Sequence, residues 1–296
     1  MKTLNVIGAG RVGRTLAALW HRQKVFLVQD VLDGTPEGAC SAVAFIGEGS
    51  ATAALPAMRA AEVWMISTPD RRIAGSAQAL ASSGLLRAGD VVFHCSGSMA
   101  STDIASAAAS GARIASVHPL KSFADPAAAL LTFEGTHCVA EGHREGLDVL
   151  VPAFERIGGR VAEIDPKLKT IYHAASVIVC NYLTALLESG LECFEQAGLA
   201  RETAMRMMEP LVRETLDNVI RLGPAAALTG PIARGDDTVV AKHLDVLDSW
   251  SPRIAAIYRD LGAVALDLSR SRGDSDPEAR RRIEALLGSA ARDAQS

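Results

Sequence analysis

Hydrophobic positions in the first half of the chain gather in short, nearly uninterrupted runs. Leu4 to Ile7, Val25 to Val28, Glu62 to Ser67, Val91 to Cys95, Arg113 to Ser116 and Thr136 to Ala140 each predict a strand. Runs without polar alternation belong to strands covered on both faces. Arg14 to Arg22 and Pro36 to Ile46 read as helices, and the remaining connections are alanine-rich. Strand and helix taking turns predict an α/β domain with a doubly wound, mostly parallel sheet. From Pro166 the texture changes to long helical periodicity. Lys169 to Ala197 carries Val177, Ile178, Cys180, Leu183, Leu186 and Leu187. Glu202 to Leu222 follows, and Thr238 to Leu261 supplies one or two more helices. Pro224, Gly230, Pro231 and Gly235 punctuate the loop between them. The expected division is an α/β domain over 1–165 and an all-helical domain over 166–296. The polar stretch from Ser271 is expected to form a terminal helix with a frayed end. No internal repeat is visible.

Bulk properties narrow the partners. With 296 residues, 49% hydrophobic and 22% charged, the chain has the balance of a globular protein with a substantial core. A formal charge of −4 gives no electrostatic reason to expect nucleic acid. Arg280-Arg281-Arg282 is short enough to be a solvated helix face. The five cysteines (Cys40, Cys95, Cys138, Cys180 and Cys193) form no C-x-x-C pair, so free thiols in a reducing compartment are expected. Val6 and Ile7 run straight into glycines, unlike a signal peptide. No uncharged apolar run reaches the roughly 20 residues of a membrane span. The expectation is a cytoplasmic protein with a small-molecule substrate, no nucleic acid and no membrane partner.

The first chemistry lies at the end of the first strand. Gly8-Ala9-Gly10-Arg11-Val12-Gly13 fits G-x-G-x-x-G. The first glycine permits the tight turn, the second lets a pyrophosphate approach the backbone, and the third lets helix and strand pack closely. The helix that follows offers free N–H groups and a positive dipole end to phosphates, with Arg11 as a counter-charge. Its place between strand and helix, at the head of a βαβ series, marks a Rossmann dinucleotide-binding domain. Asp30 lies 20 residues after Gly10, where a carboxylate binds ribose hydroxyls and repels a 2′-phosphate. The cofactor expected is NAD(P), with Asp30 favouring NAD; a plain turn residue is the other reading of Asp30.

Several segments occur together in a recognisable order. They are Gly8 to Gly13, Ser67-Thr68-Pro69-Asp70, His94-Cys95-Ser96-Gly97-Ser98, and Ser116 to Phe123. Tyr172-His173-Ala174-Ala175-Ser176 and Leu228-Thr229-Gly230-Pro231-Ile232-Ala233-Arg234-Gly235-Asp236 complete the set. The chain thereby resembles the Rossmann-like and DUF2520 domain-containing oxidoreductase family. More distantly it is similar to pyrroline-5-carboxylate reductase, ketopantoate reductase and the 6-phosphogluconate dehydrogenase-like enzymes. The resemblance implies a Rossmann domain followed by a 6-phosphogluconate dehydrogenase-like helical domain, and a homodimer formed through the helices. It names no substrate. Where many relatives carry a Ser-Arg type pair suited to NADP, this chain has Gln29-Asp30.

Candidate site residues follow from position. Ser67, Thr68, Pro69 and Ser96 stand beyond strand ends, where open parallel sheets bind ligands, and are read as cofactor contacts, Ser96 also as a substrate contact. Ordinary turn chemistry, with Asp70 capping the next helix, is the alternative. His118 precedes a proline that restrains its backbone, and imidazole titrates near neutral pH, so it is a candidate proton donor; a buried structural histidine fits as well. Lys121 is a candidate carboxylate ligand. Lys169 and His173 share a helix face at i, i+4, as do Tyr172 and Ser176 on an adjacent one. Lys169 and His173 resemble in spacing the Lys and Asn of the wider superfamily, with His in place of Asn. Asn181 lies two turns on and is a further catalytic candidate or a helix bridge. Thr229 and Arg234 are read as substrate contacts, Arg234 for its planar fork; by resemblance to pyrroline-5-carboxylate reductase, such a loop reaches the partner's site. No metal-ligand spacing, nucleophile elbow or Walker lysine is present. The expected activity is hydride transfer between a nicotinamide cofactor and a small carbonyl, imine or hydroxy compound. The alternative is a non-catalytic dinucleotide-sensing protein.

Overall fold

The structure is a computed structural model that describes residues 1–272 and 276–288. The frayed end expected beyond the terminal helix falls on residues 289–296, outside the described residues. The chain divides into two compact units, Met1–Val179 and Cys180–Ser296.

The first unit is built on strands β1 (Lys2–Ile7), β2 (Phe26–Leu32), β3 (Ser50–Thr52), β4 (Val63–Ile66), β5 (Val91–His94), β6 (Arg113–Pro119), β7 (His137–Gly142) and β8 (Arg160–Glu163). They form one sheet in the order β3-β2-β1-β4-β5-β6-β7-β8. Every pairing is parallel except β6 with β7, which is antiparallel. The connecting helices are α1 (Arg11–Arg22), α2 (Pro36–Ile46), α3 (Asp70–Ser82), α4 (Ala105–Ala109), α5 (Pro126–Leu131) and α6 (Arg144–Arg156). The predicted doubly wound sheet is thus present. Two short, largely exposed strands, β3 and β8, have no apolar run and were not anticipated.

Each face of the sheet carries its own core. On one side Trp20 of α1 is fully buried and meets Phe26, Phe93 and Phe154 edge-to-face at 5.3, 6.2 and 5.2 Å. Its indole N–H donates to the Ala153 carbonyl at 2.9 Å, so the largest core side chain leaves no polar atom unpaired. The other side buries Ile7, Trp64, Ile66, Val92 and Ile114 against Ile73, Ala77 and Leu80 of α3. The order of strands reverses at β1 and β4, so the crevice for a ligand opens beyond their carboxyl ends.

The long helix expected from Lys169 is present and carries a π-helical turn. α7 (Lys169–Ser176) belongs to the first unit, Val177–Asn181 is π-helical, and α8 (Tyr182–Gln196) follows in the second. By length and composition the segment Pro166–Gln196 qualifies as able to cross a membrane, with mean hydropathy 1.4 over its best window. The sequence expectation that no such run exists is corrected: 170–187 holds no Asp, Glu, Lys or Arg, and its His, Asn, Tyr, Ser and Thr residues masked it.

The second unit adds α9 (Arg201–Leu222), α10 (Pro224–Ala227), α11 (Pro231–Arg234), α12 (Asp237–Trp250), α13 (Pro252–Arg272) and α14 (Pro277–Gly288). Its main core joins Ile232, Val240, Leu244, Leu266, Ile283 and Leu287. The Thr229 to Asp236 segment makes this possible through local geometry. Gly230 and Gly235 take φ of +92° and +75°, and the Asp236 carboxylate accepts the Val239 N–H at 3.1 Å to start α12.

Candidate active site

The glycine turn behaves as its spacing predicts. Gly8 has φ +87°, and a Cβ there would stand 2.6 Å from the Thr68 backbone nitrogen. A Cβ at Gly13 would strike the Ser67 hydroxyl and lie 2.5 Å from the Gly8 carbonyl oxygen. That carbonyl also accepts a short hydrogen bond from Ser67 Oγ. Gly8 and Gly13 are therefore demanded by packing between the ends of β1, β4 and α1. Gly10 is different: nothing lies within 4 Å of its missing side chain. Its smallness serves no neighbour in the chain, which is what a backbone reserved for an approaching ligand requires. α1 begins without a side-chain cap and without an acidic residue in its first turn, so its N–H groups and dipole are open to an anion. Thr68 Oγ1 is buried with no hydrogen-bond partner among the described residues. These features fit a dinucleotide, which Gly8 to Gly13, Ser67 and Thr68 would hold.

The acidic residue assigned to the ribose is corrected. β2 extends to Leu32, so Asp30 lies inside the strand opposite Asn5 and Ser50. It is buried, and its carboxylate accepts from Arg59 through the backbone N at 2.6 Å, Nη2 at 2.7 Å and Nε at 3.2 Å. A carboxylate so engaged binds no ribose. Asp33 stands just past the strand, and its Oδ1 accepts the Ala9 N–H of the glycine turn at 3.2 Å. The strand runs on to Leu32, further than its apolar run suggests, so the first carboxylate beyond its end is Asp33 and not Asp30.

Beyond β5 and β6 the structure gathers residues remote in sequence. His94, Ser116 and Glu141 sit side by side in register on β5, β6 and β7. All three are buried, and Lys169 of α7, only 1% exposed, caps the row. Its ammonium donates to Ser116 Oγ at 2.9 Å and lies 3.9 Å from Glu141 Oε1. Glu141 also accepts from Ser101 through N at 2.8 Å and Oγ at 2.6 Å. Burial lowers the Lys169 pKa and the Glu141 carboxylate opposes that shift. The partners of the Lys169 ammonium are the internal Ser116 hydroxyl and Glu141 carboxylate. His94 is equally internal: its Nδ1 accepts the Ser96 N–H at 3.2 Å, Nε2 meets the Ala100 carbonyl at 3.1 Å, and burial pushes its pKa down to about 4.

Ser96 organises the turn after β5. Its hydroxyl donates to Asp70 Oδ2 at 3.0 Å and accepts the N–H groups of Ser98 and Met99 at 3.2 and 3.1 Å. Ser98 Oγ donates to the same Asp70 oxygen at 2.8 Å. Asp70 thus ties two strand ends together instead of capping its helix, and Pro69 stands exposed at the N-cap of α3. Next in the chain, Gly97 faces two imidazoles. His118 Nδ1 is 2.9 Å from the Tyr172 hydroxyl, and the His118 and His173 ring centroids are 6.4 Å apart. Burial lowers the His118 pKa to about 4, with the nearby Lys169 charge and then His173 adding to the effect. Burial raises the Tyr172 phenol to about 12.

Four other candidates stand elsewhere. The Lys121 ammonium donates to the Thr132 carbonyl at 2.7 Å, where it satisfies the C-terminal end of α5. Asn181 is exposed in the π-helical turn and lies in the second unit with Thr229 and Arg234. Thr229 borders an apolar groove of about 370 Å³ between Leu186, Cys193, Ile232 and Tyr258. Arg234 is exposed, and among the described residues its guanidinium forms no ion pair. The sequence named His118, Lys169 and His173 but not Asp33, Ser116, Glu141 or the role of Tyr172. Strand register and an approach of α7 to β6 bring Ser116, Glu141 and Tyr172 together with His118 and Lys169, and neither is encoded in local spacing.

The comparisons agree with this anatomy. A Rossmann-like domain model matches residues 2–119, and the model "Domain of unknown function (DUF2520)" matches 136–265. The histidine pair joins the two regions, since His118 lies in the first and His173 in the second. No curated protein matches the sequence. Among solved structures, the chain is similar to protein TM1727 from Thermotoga maritima, with TM-score 0.73 and 24% identity over 91% of this chain and 99% of that one. A "putative NADP oxidoreductase BF3122" from Bacteroides fragilis aligns with TM-score 0.71 and 22% identity, covering 90% and 98%. A pyrroline-5-carboxylate reductase from Coxiella burnetii gives TM-score 0.58 and 16% identity, covering 96% and 98%. At these identities the likeness is one of fold. The two models are matched in order, so the chain carries a Rossmann-like domain followed by a DUF2520 domain.

Proposed function

We propose that the protein is a nicotinamide-dependent oxidoreductase that moves hydride between NAD(H) and a small carbonyl, imine or hydroxy compound. The observation that carries the reading is Gly10, which leaves open the approach to the uncapped start of α1 while its two partner glycines are fixed by packing. The chemistry such a cofactor supplies when bound is hydride exchange at its nicotinamide ring. The chain's own residues would do the rest. Gly8 to Gly13 and Thr68 bind the dinucleotide, and Asp33 receives the ribose hydroxyls. His118 and His173 face a substrate atom and handle the proton. Ser96, Asp70 and Lys169 hold those groups in place. Neighbours described as oxidoreductases and reductases support the same class.

NAD is favoured because Asp33 is the carboxylate beside the turn, and Glu37 follows in the first turn of α2. Calorimetric titration with NADH and NADPH tests this. Tighter NADH binding is expected, and Asp33→Ser narrows the preference by at least about tenfold, roughly 1.4 kcal/mol. If neither nucleotide binds, the oxidoreductase reading fails.

A second copy of the chain is the expected partner, as the family resemblance implies. α9 exposes Met205, Leu211, Leu216 and Ile220, the last at 83%. Exposed apolar side chains along that length of helix support an association surface. Light scattering at micromolar concentration is expected to give twice the 31.1 kDa chain mass, and Leu211→Glu with Ile220→Glu to give the monomer.

A further inference from the structure

The two peptide units that open the glycine turn are held differently. In the first, between Gly8 and Ala9, both ends are taken. The Gly8 carbonyl accepts from Ser67 Oγ, and the Ala9 N–H donates to Asp33 Oδ1 at 3.2 Å. In the second, between Ala9 and Gly10, only one end is taken. The Ala9 carbonyl accepts from Arg14 Nε at 2.9 Å, while the Gly10 N–H has no hydrogen-bond partner among the described residues. Ala9 is fully buried and Gly10 is exposed. Arg14 is itself steadied from the neighbouring helix, where its Nη1 meets Ser41 Oγ of α2 at 3.4 Å.

The direction of the free N–H follows from the direction of the held carbonyl. The Ala9–Gly10 peptide is trans, and across a planar trans peptide C=O and N–H point in opposite directions. With its carbonyl turned to Arg14, this unit turns the Gly10 N–H away from Arg14. Without that hold the unit could flip. A flip carries the φ of Gly10 from −64° to the positive side, which glycine adopts at little cost and other residues do not. A flipped unit would show a phosphate the Ala9 carbonyl oxygen in place of an N–H, and the two repel. The glycine that leaves the approach clear therefore leaves the direction of its own N–H unchosen. The Arg14 guanidinium makes the choice, with a planar fork that reaches the Ala9 carbonyl and Ser41 together.

We propose that Arg14 is a positioning residue of the dinucleotide site: by holding the Ala9 carbonyl it sets the Gly10 N–H as a donor to a phosphate oxygen of the cofactor. This rests on the dinucleotide reading of the turn. Arg14 acts through the peptide and not as a counter-charge, because the peptide lies between its Nε and the N–H that it directs. Its effect is confined to ligands that carry the pyrophosphate, which ADP and NADH share.

Hydrogen exchange in ¹H–¹⁵N spectra of the full chain, with calorimetry on ADP and NADH, tests this. In the free wild type the Arg14 Nε–H is expected to exchange slowly and the Gly10 amide freely, the latter becoming protected when ADP binds. Arg14→Met keeps the length of the side chain and removes the donor. It is expected to bind ADP and NADH at least about tenfold more weakly, equally so in about 0.05 M and about 0.5 M salt, with Tm within about 6 °C of wild type. A smaller loss overturns the proposal, as does a loss that disappears at high salt, the mark of a charge acting at a distance. So does a Gly10 amide protected in the free wild type or left unprotected by bound ADP, or a fast-exchanging Arg14 Nε–H. Should the variant not fold, the wild-type exchange decides alone. A wild type that binds neither ADP nor NADH overturns the dinucleotide reading instead, and the role of Arg14 with it.

Discussion

Lys169→Met removes the cation above the buried row His94–Ser116–Glu141 while keeping a side chain of similar length. Lys169 and Glu141 are each 1% exposed, so the substitution leaves Glu141 with two hydrogen bonds from Ser101 and no counter-charge. Breaking a buried pair by removing one partner costs about 3–5 kcal/mol, because the surviving charge remains desolvated. For a protein of this size each kcal/mol moves the midpoint by about 2–4 °C, so Lys169→Met is expected to lower Tm by roughly 6–20 °C. The second substitution Glu141→Gln removes that charge and keeps an acceptor for Ser101. The double variant is therefore expected to recover about 2 kcal/mol over the single one. Urea titrations of wild type and the three variants give the full cycle. A loss under about 1 kcal/mol in Lys169→Met, or a double variant less stable than Lys169→Met, would refute the reasoning. Either result would mean that Glu141 is not ionised in the wild type or that water reaches it in the variant.

Gly10→Ala is expected to unfold within about 0.5 kcal/mol of wild type, since its site is open and its φ of −64° is ordinary, yet to bind NADH at least about tenfold more weakly. Gly13→Ala, whose Cβ meets backbone, is expected to destabilise the fold itself in the same denaturation assay. Asp30→Ala removes the acceptor of Arg59 and costs about 1–3 kcal/mol, while the ratio of NADH to NADPH affinity measured by calorimetry stays unchanged. Stability is also expected to depend on acid. His94 has a folded pKa of about 4 against an ordinary 6.5, so below pH 6.5 the unfolded chain binds the extra proton and the native state loses ground until about pH 4. The destabilisation amounts to about 3 kcal/mol by pH 4 and is absent above pH 6.5. A urea midpoint flat from pH 7 to pH 4 would exclude it.

What the sequence determined by itself is what neighbouring residues dictate. Continuous apolar runs marked the strands buried on both faces, and α2 appears over Pro36–Ile46 as predicted. The glycine turn was legible from its spacing between a strand and a helix; Gly8 and Gly13 answer to local φ or immediate packing, while Gly10 answers to neither. His118 could be singled out because a proline follows a strand end. The short strands β3 and β8 were silent, since exposed edge strands need no apolar pattern. Tertiary structure decided the rest. The length of β2 settled that Asp30 faces Arg59 and Asp33 faces the turn, a difference that depends on pairing with β1 across an irregular register at Leu4 and Asn5. Sheet register alone aligned His94, Ser116 and Glu141, and the docking of α7 brought Lys169 to Ser116 and Tyr172 to His118 from more than 50 residues away in the chain. Local propensity acts over a turn or two of chain. A buried charge row and two imidazoles packed against one glycine exist only once remote strands have paired and excluded water from between them.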